Sequence, residues 1–310
     1  MLKYPRRRHL TFPHAAPRQN SGCGLQIFYN GRMSDLINQT VVVGASGRVG
    51  RLLARAWALG GLVPSLQRRG AALPLDLPQV EWHPLSGTPL EAGRFRAMIV
   101  LAAAVRGDLA LNAQLAEACC AAAVQAGIGQ VLLASSSAVY GVNGGQACRE
   151  DTPTHPVNDY GRTKLEAEAV ACRWRARGLA ITALRIGNVA GADALLAGIT
   201  PGQPTWIDAF ADGTGPVRSY IGPITLADVL ARLLGQKLPP VLNLGAPNPV
   251  AMADLARAAR ADWHYQPAPV TAYQRITLDC SLLAQHYHFA ENQSDAAAMV
   301  AEWQSTRGPQ

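Results

Sequence analysis

The sequence predicts an α/β protein, with a doubly wound parallel sheet followed by a smaller, irregular α+β lobe. From residue 40 onward, short apolar runs alternate with longer amphipathic ones, the pattern of parallel strands joined by crossover helices. Beyond residue 188 this alternation gives way to stretches rich in glycine and proline, such as 198–204 and 212–223. The 310 residues, 49% hydrophobic and 16% charged, suffice for one large α/β unit with an added lobe and exclude a fibrous chain.

The individual elements follow from the same patterns. Residues 40–43 form the first predicted strand, and 49–59 form a helix that ends at Gly60 and Gly61. The other predicted strands are 62–66, 97–103, 130–134 and 180–185, and the other predicted helices are 109–126, 159–177 and 226–234. The longest apolar run, 97–105, is less than half as long as a membrane-spanning helix, so we expect a buried strand and no membrane partner.

The net charge of +7 is concentrated at the start of the chain. Residues 1–32 carry six basic residues and no acidic one, which leaves 22 basic against 21 acidic residues in the remainder. The globular part is therefore almost neutral and lacks the basic surface of a nucleic-acid-binding protein. We expect residues 1–34 to be a disordered or non-native basic extension, with an arginine-rich transit-type peptide as the alternative.

The six cysteines show neither a C-x-x-C pair nor a zinc-binding spacing. Cys119 and Cys120 are adjacent on a predicted helix, where they cannot bridge comfortably. We therefore expect reduced thiols and a reducing compartment, the cytoplasm. His286 and His288 have no further clustered ligand beside them, so no metal is predicted.

A glycine-rich turn, GASGRVG at 44–50, joins the first strand to the first helix. Its first glycine allows a sharp turn, the second lets backbone amides approach a pyrophosphate, and the third permits close packing of helix on strand. The positive end of the helix dipole favours the phosphate charge. The turn predicts a dinucleotide site whose contacts are Gly44, Ser46, Gly47, Arg48, Val49 and Gly50.

The end of the second predicted strand bears on which dinucleotide binds. An NAD site usually has an acidic residue there for the ribose hydroxyls, whereas this chain has Gln67-Arg68-Arg69. Arginines such as Arg68 suit a 2′-phosphate, so NADP is favoured over NAD. Asp76 is the alternative contact for the ribose, and the alternative for the arginines is a pair of solvated loop charges.

Two further motifs predict catalytic chemistry. Tyr160 and Lys164 form a Y-x-x-x-K pair on a predicted helix, where positions i and i+4 share one face. A neighbouring ammonium favours the phenolate, so we expect it to lower the tyrosine pKa toward the working range of a base. Three serines at 135–137 follow the buried strand 130–134, at the sheet edge where ligands bind.

Together these residues resemble the extended short-chain dehydrogenase/reductase superfamily, specifically its NAD(P)-dependent epimerase/dehydratase family. The resemblance covers most of residues 38–300. Besides the glycine turn and the Tyr160–Lys164 pair, it rests on 101–103, Asn112, SSSAVYG at 135–141, EDTP at 150–153, Leu165, Glu168, LRIGNV at 184–189, RSYI at 218–221, Asp228 and NLG at 243–245.

The resemblance implies a Rossmann-type dinucleotide-binding domain over 35–188 and a substrate-binding lobe over 189–310, some segments of which return to the first domain. By position, Tyr160 is similar to the catalytic acid/base, Lys164 to the residue that binds the nicotinamide ribose and lowers the tyrosine pKa, and Ser136 to the substrate-orienting hydroxyl. Ser135 and Ser137 are the alternatives to Ser136. The implied cofactor contacts also include Leu101, Ala102, Ala103 and Asn112, and the implied substrate contacts are Ser137, Asn188, Arg218 and Tyr220.

The activity implied by the resemblance is hydride transfer between nicotinamide and a secondary hydroxyl or carbonyl carbon of a nucleotide sugar or related small molecule. Epimerase and net reductase both remain open. Sugar dehydratases of the family carry an Asp-Glu pair where this chain has Ser137 and Ala138, so dehydration is disfavoured. A non-catalytic NADP-binding regulatory or sensor protein is the alternative function, and the family also implies a homodimer through helices 109–126 and 159–177.

Overall fold

The computed structural model describes residues 31–308. Its strands are β1 (Thr40–Val43), β2 (Ser65–Arg68), β3 (Gln79–Glu81), β4 (Ala97–Val100), β5 (Gln130–Ser136), β6 (Ala147–Cys148), β7 (Ala180–Ile186), β8 (Asn188–Val189), β9 (Thr205–Ala209), β10 (Val217–Arg218), β11 (Tyr220–Ile221), β12 (Val241–Leu244), β13 (Val250–Ala251), β14 (Trp263–Pro267) and β15 (Arg275–Leu278). Its helices are α1 (Gly31–Asn38), α2 (Arg48–Leu59), α3 (Leu111–Gln125), α4 (Asp159–Ala176), α5 (Ala194–Gly198), α6 (Pro223–Leu233), α7 (Met252–Ala258) and α8 (Ala296–Thr306). Short 3-10 helices span Pro84–Ser86, Ser137–Val139, Leu283–Gln285 and Glu291–Ser294.

Seven strands form one sheet in the order β3-β2-β1-β4-β5-β7-β12, and every neighbouring pair is parallel. Strands β1 and β4 are apolar along most of their length and fully buried, as expected for strands covered on both faces. Side chains of α3 and α4 share one buried cluster, and those of α2 and α6 share the other. This arrangement confirms the predicted Rossmann-type doubly wound sheet.

The predicted elements lie close to the observed ones, with differences that have local causes. The second strand begins at Ser65 instead of residue 62, because it follows Pro64, which has no amide to donate to the ladder. Strand β4 ends at Val100, because the amides of Leu101 and Ala102 both turn to the carbonyl oxygen of Val43. Strand β5 continues two residues further than predicted and includes Ser135 and Ser136.

Segments after residue 188 contribute both to the main sheet with its covering helices and to a group of smaller sheets. Helix α6 packs against α2, where the buried Trp57 indole donates to the carbonyl oxygen of Ala227 at 3.0 Å, and β12 forms an edge of the main sheet. Strands β10, β13 and β15 join β6 in a second sheet, while β8 with β11 and β9 with β14 form two-stranded ladders. A third buried cluster, which includes Leu255, Met299 and Trp303, supports this part of the chain.

The prediction for residues 1–34 lies mostly outside the described residues, as does Cys23. Where the two overlap, α1 begins at Gly31, and the origin of the extension stays a prediction. Cys119 and Cys120 lie side by side on α3 as free, buried thiols, and Cys148, Cys172 and Cys280 are also free. Within residues 31–308, no helix is long and apolar enough to cross a membrane.

Candidate active site

The glycine turn between β1 and α2 is shaped by two close backbone approaches. Gly44 has φ of +87°, and a Cβ there would lie 2.4 Å from the backbone nitrogen of Ala102. A Cβ on Gly50 would lie 2.6 Å from the carbonyl oxygen of Gly44. Gly47 is the N-cap of α2 and supplies no side-chain cap, so the first amides of the helix face outward for an anion.

A cavity of about 840 Å³ opens beside this turn. It lies next to the carboxyl ends of β1 and β4, where the strand order reverses and dinucleotides bind in open parallel sheets. Its lining includes predicted cofactor contacts from three segments: Gly44, Ser46, Gly47, Arg68, Leu101, Ala102 and Ala103. Five predicted cofactor contacts are not among its lining residues: Arg48, Val49, Gly50, Asn112 and Lys164.

The side chains of Arg48, Val49 and Asn112 have other partners. Arg48 donates to the carbonyl oxygen of Ala192 at 3.4 Å, and Val49 packs against the core. The Asn112 amide accepts from the Ala104 nitrogen at 2.8 Å and donates to the Ala104 oxygen and to Thr163 Oγ1. The Asn112 amide thus ties the loop after β4 to α4, and its contact with cofactor stays a prediction.

The end of β2 is organised by Gln67 and Arg68. Buried Gln67 accepts from the Gly44 amide at 3.1 Å and donates to the Trp82 oxygen at 2.6 Å, so it holds the turn against β2 and β3. Arg68 forms an ion pair with Glu81 at 2.8 Å and also donates to the Gly70 oxygen. Arg69 is exposed and lines the same cavity, whereas Asp76 does not line it.

The serine, tyrosine and lysine come together where β5 meets α4. Ser136 is the last residue of β5, and its Oγ accepts from the Ala138 amide at 3.2 Å and hydrogen-bonds the Tyr160 hydroxyl. Lys164 is 3% exposed and donates from Nζ to the Ala134 oxygen at 2.7 Å. The same Nζ lies 5.9 Å from the centre of the Tyr160 ring.

Burial controls the ionisation of this cluster. It lowers the pKa of Lys164 to about 8, and the nearby Glu168 carboxylate opposes that change. It raises the pKa of Tyr160 above its ordinary value of 10, and the hydrogen bond from Ser136 opposes this only in part. The expected lowering of the tyrosine pKa by Lys164 is thus not found, because removal of the phenolate from water has the larger effect.

Glu168 is a member of the cluster to which the sequence assigned no role. Its buried carboxylate accepts from Ser135 Oγ at 2.5 Å and from Arg185 Nη2 at 2.8 Å. The Ser135 hydroxyl therefore already donates to Glu168, and Ser136 is the serine whose hydroxyl lies beside Tyr160. The spacing Tyr160, Lys164, Glu168 at i, i+4 and i+8 marks one helix face and is the signal by which Glu168 could have been found.

The predicted substrate contacts need one clear correction. Tyr220 is 0% exposed, and its hydroxyl donates to Asp193 at 2.9 Å, so it is a core residue and cannot touch a substrate. Asn188 hydrogen-bonds Tyr220. The Arg218 guanidinium donates to the backbone carbonyl oxygens of residues 217, 273 and 274. Ser137 is half-buried at the start of the 3-10 helix after β5.

Comparison with known proteins agrees with this geometry. Residues 89–219, which contain β4, β5, α4 and the Ser-Tyr-Lys cluster, match the model of the NAD dependent epimerase/dehydratase family. A UDP-glucose 4-epimerase from Azospirillum brasilense is 45% identical over 73 residues, 23% of this chain and 21% of that enzyme. The chain matches about a fifth of the length of the first curated relatives.

Longer matches cover most of the fold. A dTDP-6-deoxy-L-talose 4-dehydrogenase (NAD(P)(+)) from Kitasatospora kifunensis is 29% identical over 265 residues, 76% of each chain. The structure of a UDP-glucose 4-epimerase from Bifidobacterium longum in complex with NAD+ and UDP superposes with a TM-score of 0.67 at 16% identity, over 86% of this chain and 98% of that one. The chain is thus similar to the NAD dependent epimerase/dehydratase family over residues 89–219, and it shares the fold of the nucleotide-sugar epimerases over most of its described length.

Proposed function

We propose that this protein is an NAD(P)-dependent oxidoreductase or epimerase that moves a hydride between nicotinamide and a secondary hydroxyl or carbonyl carbon. Tyr160 is the acid/base of this reaction, Ser136 orients the substrate oxygen, and Lys164 is the adjacent cation. The observation that carries the proposal is the hydrogen bond between Tyr160 and Ser136 beside a buried ammonium, at the carboxyl end of a central strand.

The residues of the cavity fit a dinucleotide. A side chain at Gly44 would fill the space between the turn and Ala102. The uncapped amides at the start of α2 would bind the pyrophosphate. Leu101, Ala102 and Ala103 supply the wall on the β4 side. When bound, the nicotinamide ring supplies the acceptor and donor of the hydride.

Each catalytic side chain has a distinct task. Ser136 holds the substrate oxygen by a hydrogen bond and keeps it within reach of the Tyr160 hydroxyl. Tyr160 gives its proton to a carbonyl oxygen during reduction, or receives the hydroxyl proton during oxidation. Because burial raises the pKa of Tyr160, the phenol is the resting form at neutral pH, which suits proton donation to a carbonyl.

Lys164 supplies positive charge at the same place. With a pKa of about 8, its ammonium is mostly protonated at neutral pH despite its burial. That charge stabilises the phenolate formed after proton donation and can bind the hydroxyls of the nicotinamide ribose. Asn112 supports this arrangement by joining the cavity wall at Ala104 to Thr163, the neighbour of Lys164.

The proposed substrate class is a nucleotide sugar. The named relatives act on UDP-glucose or on a dTDP-linked 6-deoxy sugar, which supports a sugar carried by a pyrimidine nucleoside diphosphate. Ser137 and Ala138 stand after Ser136 and offer no carboxylate for elimination of water. Net reduction or 4-epimerisation therefore fits this site better than dehydration.

NADP(H) is the proposed preferred cofactor. Among the described residues that line the cavity none is an Asp or Glu, so no carboxylate is available there to bind the 2′-hydroxyl. Arg68 and Arg69 bring positive charge to the same wall, and Arg69 is the more available because Arg68 pairs with Glu81. An arginine beside the ribose accommodates a 2′-phosphate.

The test combines cofactor titration with turnover. Calorimetry of wild type with NADP(H) and NAD(H) gives the cofactor, and incubation with UDP- and dTDP-sugars is followed by nicotinamide absorbance and by NMR of the sugar. Tyr160→Phe should bind cofactor normally and lose about 100-fold or more in turnover. Tyr265→Phe, at an exposed tyrosine of the second lobe, is the matched control and should keep wild-type turnover.

The outcomes separate the candidate functions. Sugar inversion without net NAD(P)H change identifies an epimerase, and stoichiometric NAD(P)H consumption identifies a reductase. Cofactor binding with equal turnover in wild type and Tyr160→Phe would contradict the assigned acid/base. Failure to bind either dinucleotide would overturn the proposal as a whole.

A homodimer through α3 and α4 stays a prediction. A second cavity of about 550 Å³ lies against these helices and is lined largely by apolar residues such as Trp82, Leu85, Ala121 and Val170. A second copy packed there would cover this surface. Light scattering of the purified protein measures the mass, and a monomer at all concentrations would contradict the prediction.

A further inference from the structure

We propose that Glu168 is a positioning residue of the active site: its carboxylate fixes the end of β5 against α4 and supplies the counter-charge of Lys164. The inference rests on the proposed function, since it gives Lys164 a catalytic setting. It concerns a residue that touches neither the cavity nor the reacting atoms and acts through its neighbours.

Helix α4 meets the end of β5 in a regular register. Three α4 residues one turn apart meet the last three residues of β5. Tyr160 bonds Ser136, Lys164 bonds the Ala134 oxygen at 2.7 Å, and Glu168 bonds Ser135 at 2.5 Å. Glu168 therefore anchors the residue that lies between the two others, and a shift of Ser135 would move Ser136 relative to Tyr160.

The charges buried behind α4 consist of two cations and one carboxylate. Two buried cations, Lys164 and Arg185, flank one buried carboxylate, Glu168. Arg185 contacts that carboxylate through Nε at 3.0 Å and Nη2 at 2.8 Å, while its Nη1 donates to the Glu150 oxygen. Lys164 has its own neutral acceptor in Ala134, so the carboxylate acts on it through space, one helical turn away.

The other ionisable groups that face Lys164 from α4 and the elements packed against it do not supply its counter-charge. They are Tyr160 on the same helix, Glu117, Cys119 and Cys120 on α3, Arg185 on β7, and Tyr140 and Glu150 in the segments after β5. Cys119, Cys120 and Tyr140 stay neutral because burial raises their pKa values. Glu117 bonds Trp174 near the end of α4, and Glu168 alone among these groups raises the pKa of Lys164.

The chain offers a direct readout, because it contains three lysines, Lys3, Lys164 and Lys237. With lysine labelled at Cε, NMR follows three side-chain signals through a pH titration of the full-length protein, and Lys164→Arg assigns the site. The wild-type Lys164 midpoint is expected at about 8. In Glu168→Gln it should fall by about one pH unit, because the amide keeps a hydrogen-bond acceptor but loses the charge.

Controls separate this effect from loss of structure. Glu166→Gln removes an exposed carboxylate from the other face of α4 and should leave the midpoint unchanged. Glu168→Asp keeps the charge and should restore most of the midpoint. If Glu168→Gln alone does not fold, Glu168→Gln with Arg185→Gln removes both charges of the buried pair, and its Lys164 midpoint is compared with that of Arg185→Gln so that the difference reports the loss of the carboxylate.

The consequence for turnover is a shift along the pH axis. Activity that needs protonated Lys164 is lost as pH rises through the lysine pKa, so Glu168→Gln should move that alkaline limb downward with the NMR midpoint. A wild-type midpoint in a folded variant that lacks Glu168 would overturn the inference. Full turnover in Tyr160→Phe would instead defeat the proposed function and leave the lysine titration intact.

Discussion

Replacing Lys164 by methionine should stabilise the fold while it removes the proposed chemistry. The pKa of this lysine falls from an ordinary 10.5 to about 8 on burial. At 1.36 kcal/mol per pH unit, that difference corresponds to about 3 kcal/mol of unfavourable free energy for folding with a charged lysine. Methionine matches the length of the apolar stem and carries no charge to desolvate.

The stabilisation should depend on pH in one direction. Below pH 8, Lys164 is protonated in both states, and the full penalty of about 3 kcal/mol is present. Between pH 8 and 10.5 the folded state releases its proton while the unfolded state keeps it, so the penalty disappears as pH rises. Lys164→Met also leaves the Ala134 oxygen without its partner, at a cost of about 1 kcal/mol, so its net advantage below pH 8 is about 2 kcal/mol.

Urea denaturation of wild type and Lys164→Met, below pH 8 and near pH 10.5, measures the difference. Comparing two variants at the same pH cancels the titration of the tyrosines and cysteines that both share. Lys237→Met is the matched control, since that lysine is exposed, and its effect should stay within about 0.5 kcal/mol at every pH. A Lys164→Met difference that does not change with pH would refute the reasoning, because it would mean that the buried ammonium titrates normally.

Three further predictions follow from single contacts. Gly44→Ala should abolish dinucleotide binding and lower the unfolding free energy by about 2 kcal/mol, because its φ is +87° and a Cβ would meet the backbone of Ala102; unchanged calorimetric binding would contradict this. Tyr220→Phe should cost about 1–3 kcal/mol by removing the hydroxyl that donates to the buried Asp193 carboxylate, yet keep the wild-type KM, whereas a raised KM with unchanged stability would restore Tyr220 as a substrate contact. A thiol reagent should modify exposed Cys172 in the native protein, whereas four buried thiols should react only in denaturant: Cys119, Cys120, Cys148 and Cys280. Mass spectrometry locates the label, and labelling of any of these four in the native protein would contradict their burial.

Much of the fold could be predicted because its signals are local. Strand β1, helix α4 and the turn at Gly44 each follow from residues within one short window, through apolar runs, helical spacing and glycine placement. Strand β12 was missed as an element of the sheet, since four residues carry little periodicity and their burial depends on pairing with β7, far earlier in the chain. The division of the chain at residue 188 stays a prediction.

The candidate site was predictable in its residue types and less so in its connections. Tyr160, Lys164 and Ser136 follow from helical spacing and from the end of a buried strand. The partners of Arg68 and Tyr220 could not be read from the sequence, because Glu81 and Asp193 reach them only after strands pair and loops close. The tyrosine pKa was expected to be lowered by Lys164, whereas the burial of Tyr160 raises it.

The energetics of Lys164 bear on the choice between an enzyme and a non-catalytic binder. A buried ammonium whose pKa is lowered by desolvation serves no packing purpose that methionine would not serve better. The ion pair of Glu168 with Arg185 is likewise weak support for stability, because desolvation of both charges offsets their attraction. Strained or costly ionisable groups cluster where chemistry requires them. A protein that only sensed NADP would need the turn at Gly44 and the cavity beside it, and it would gain stability by losing Lys164. The presence of both charges beside Tyr160 therefore favours turnover over binding alone.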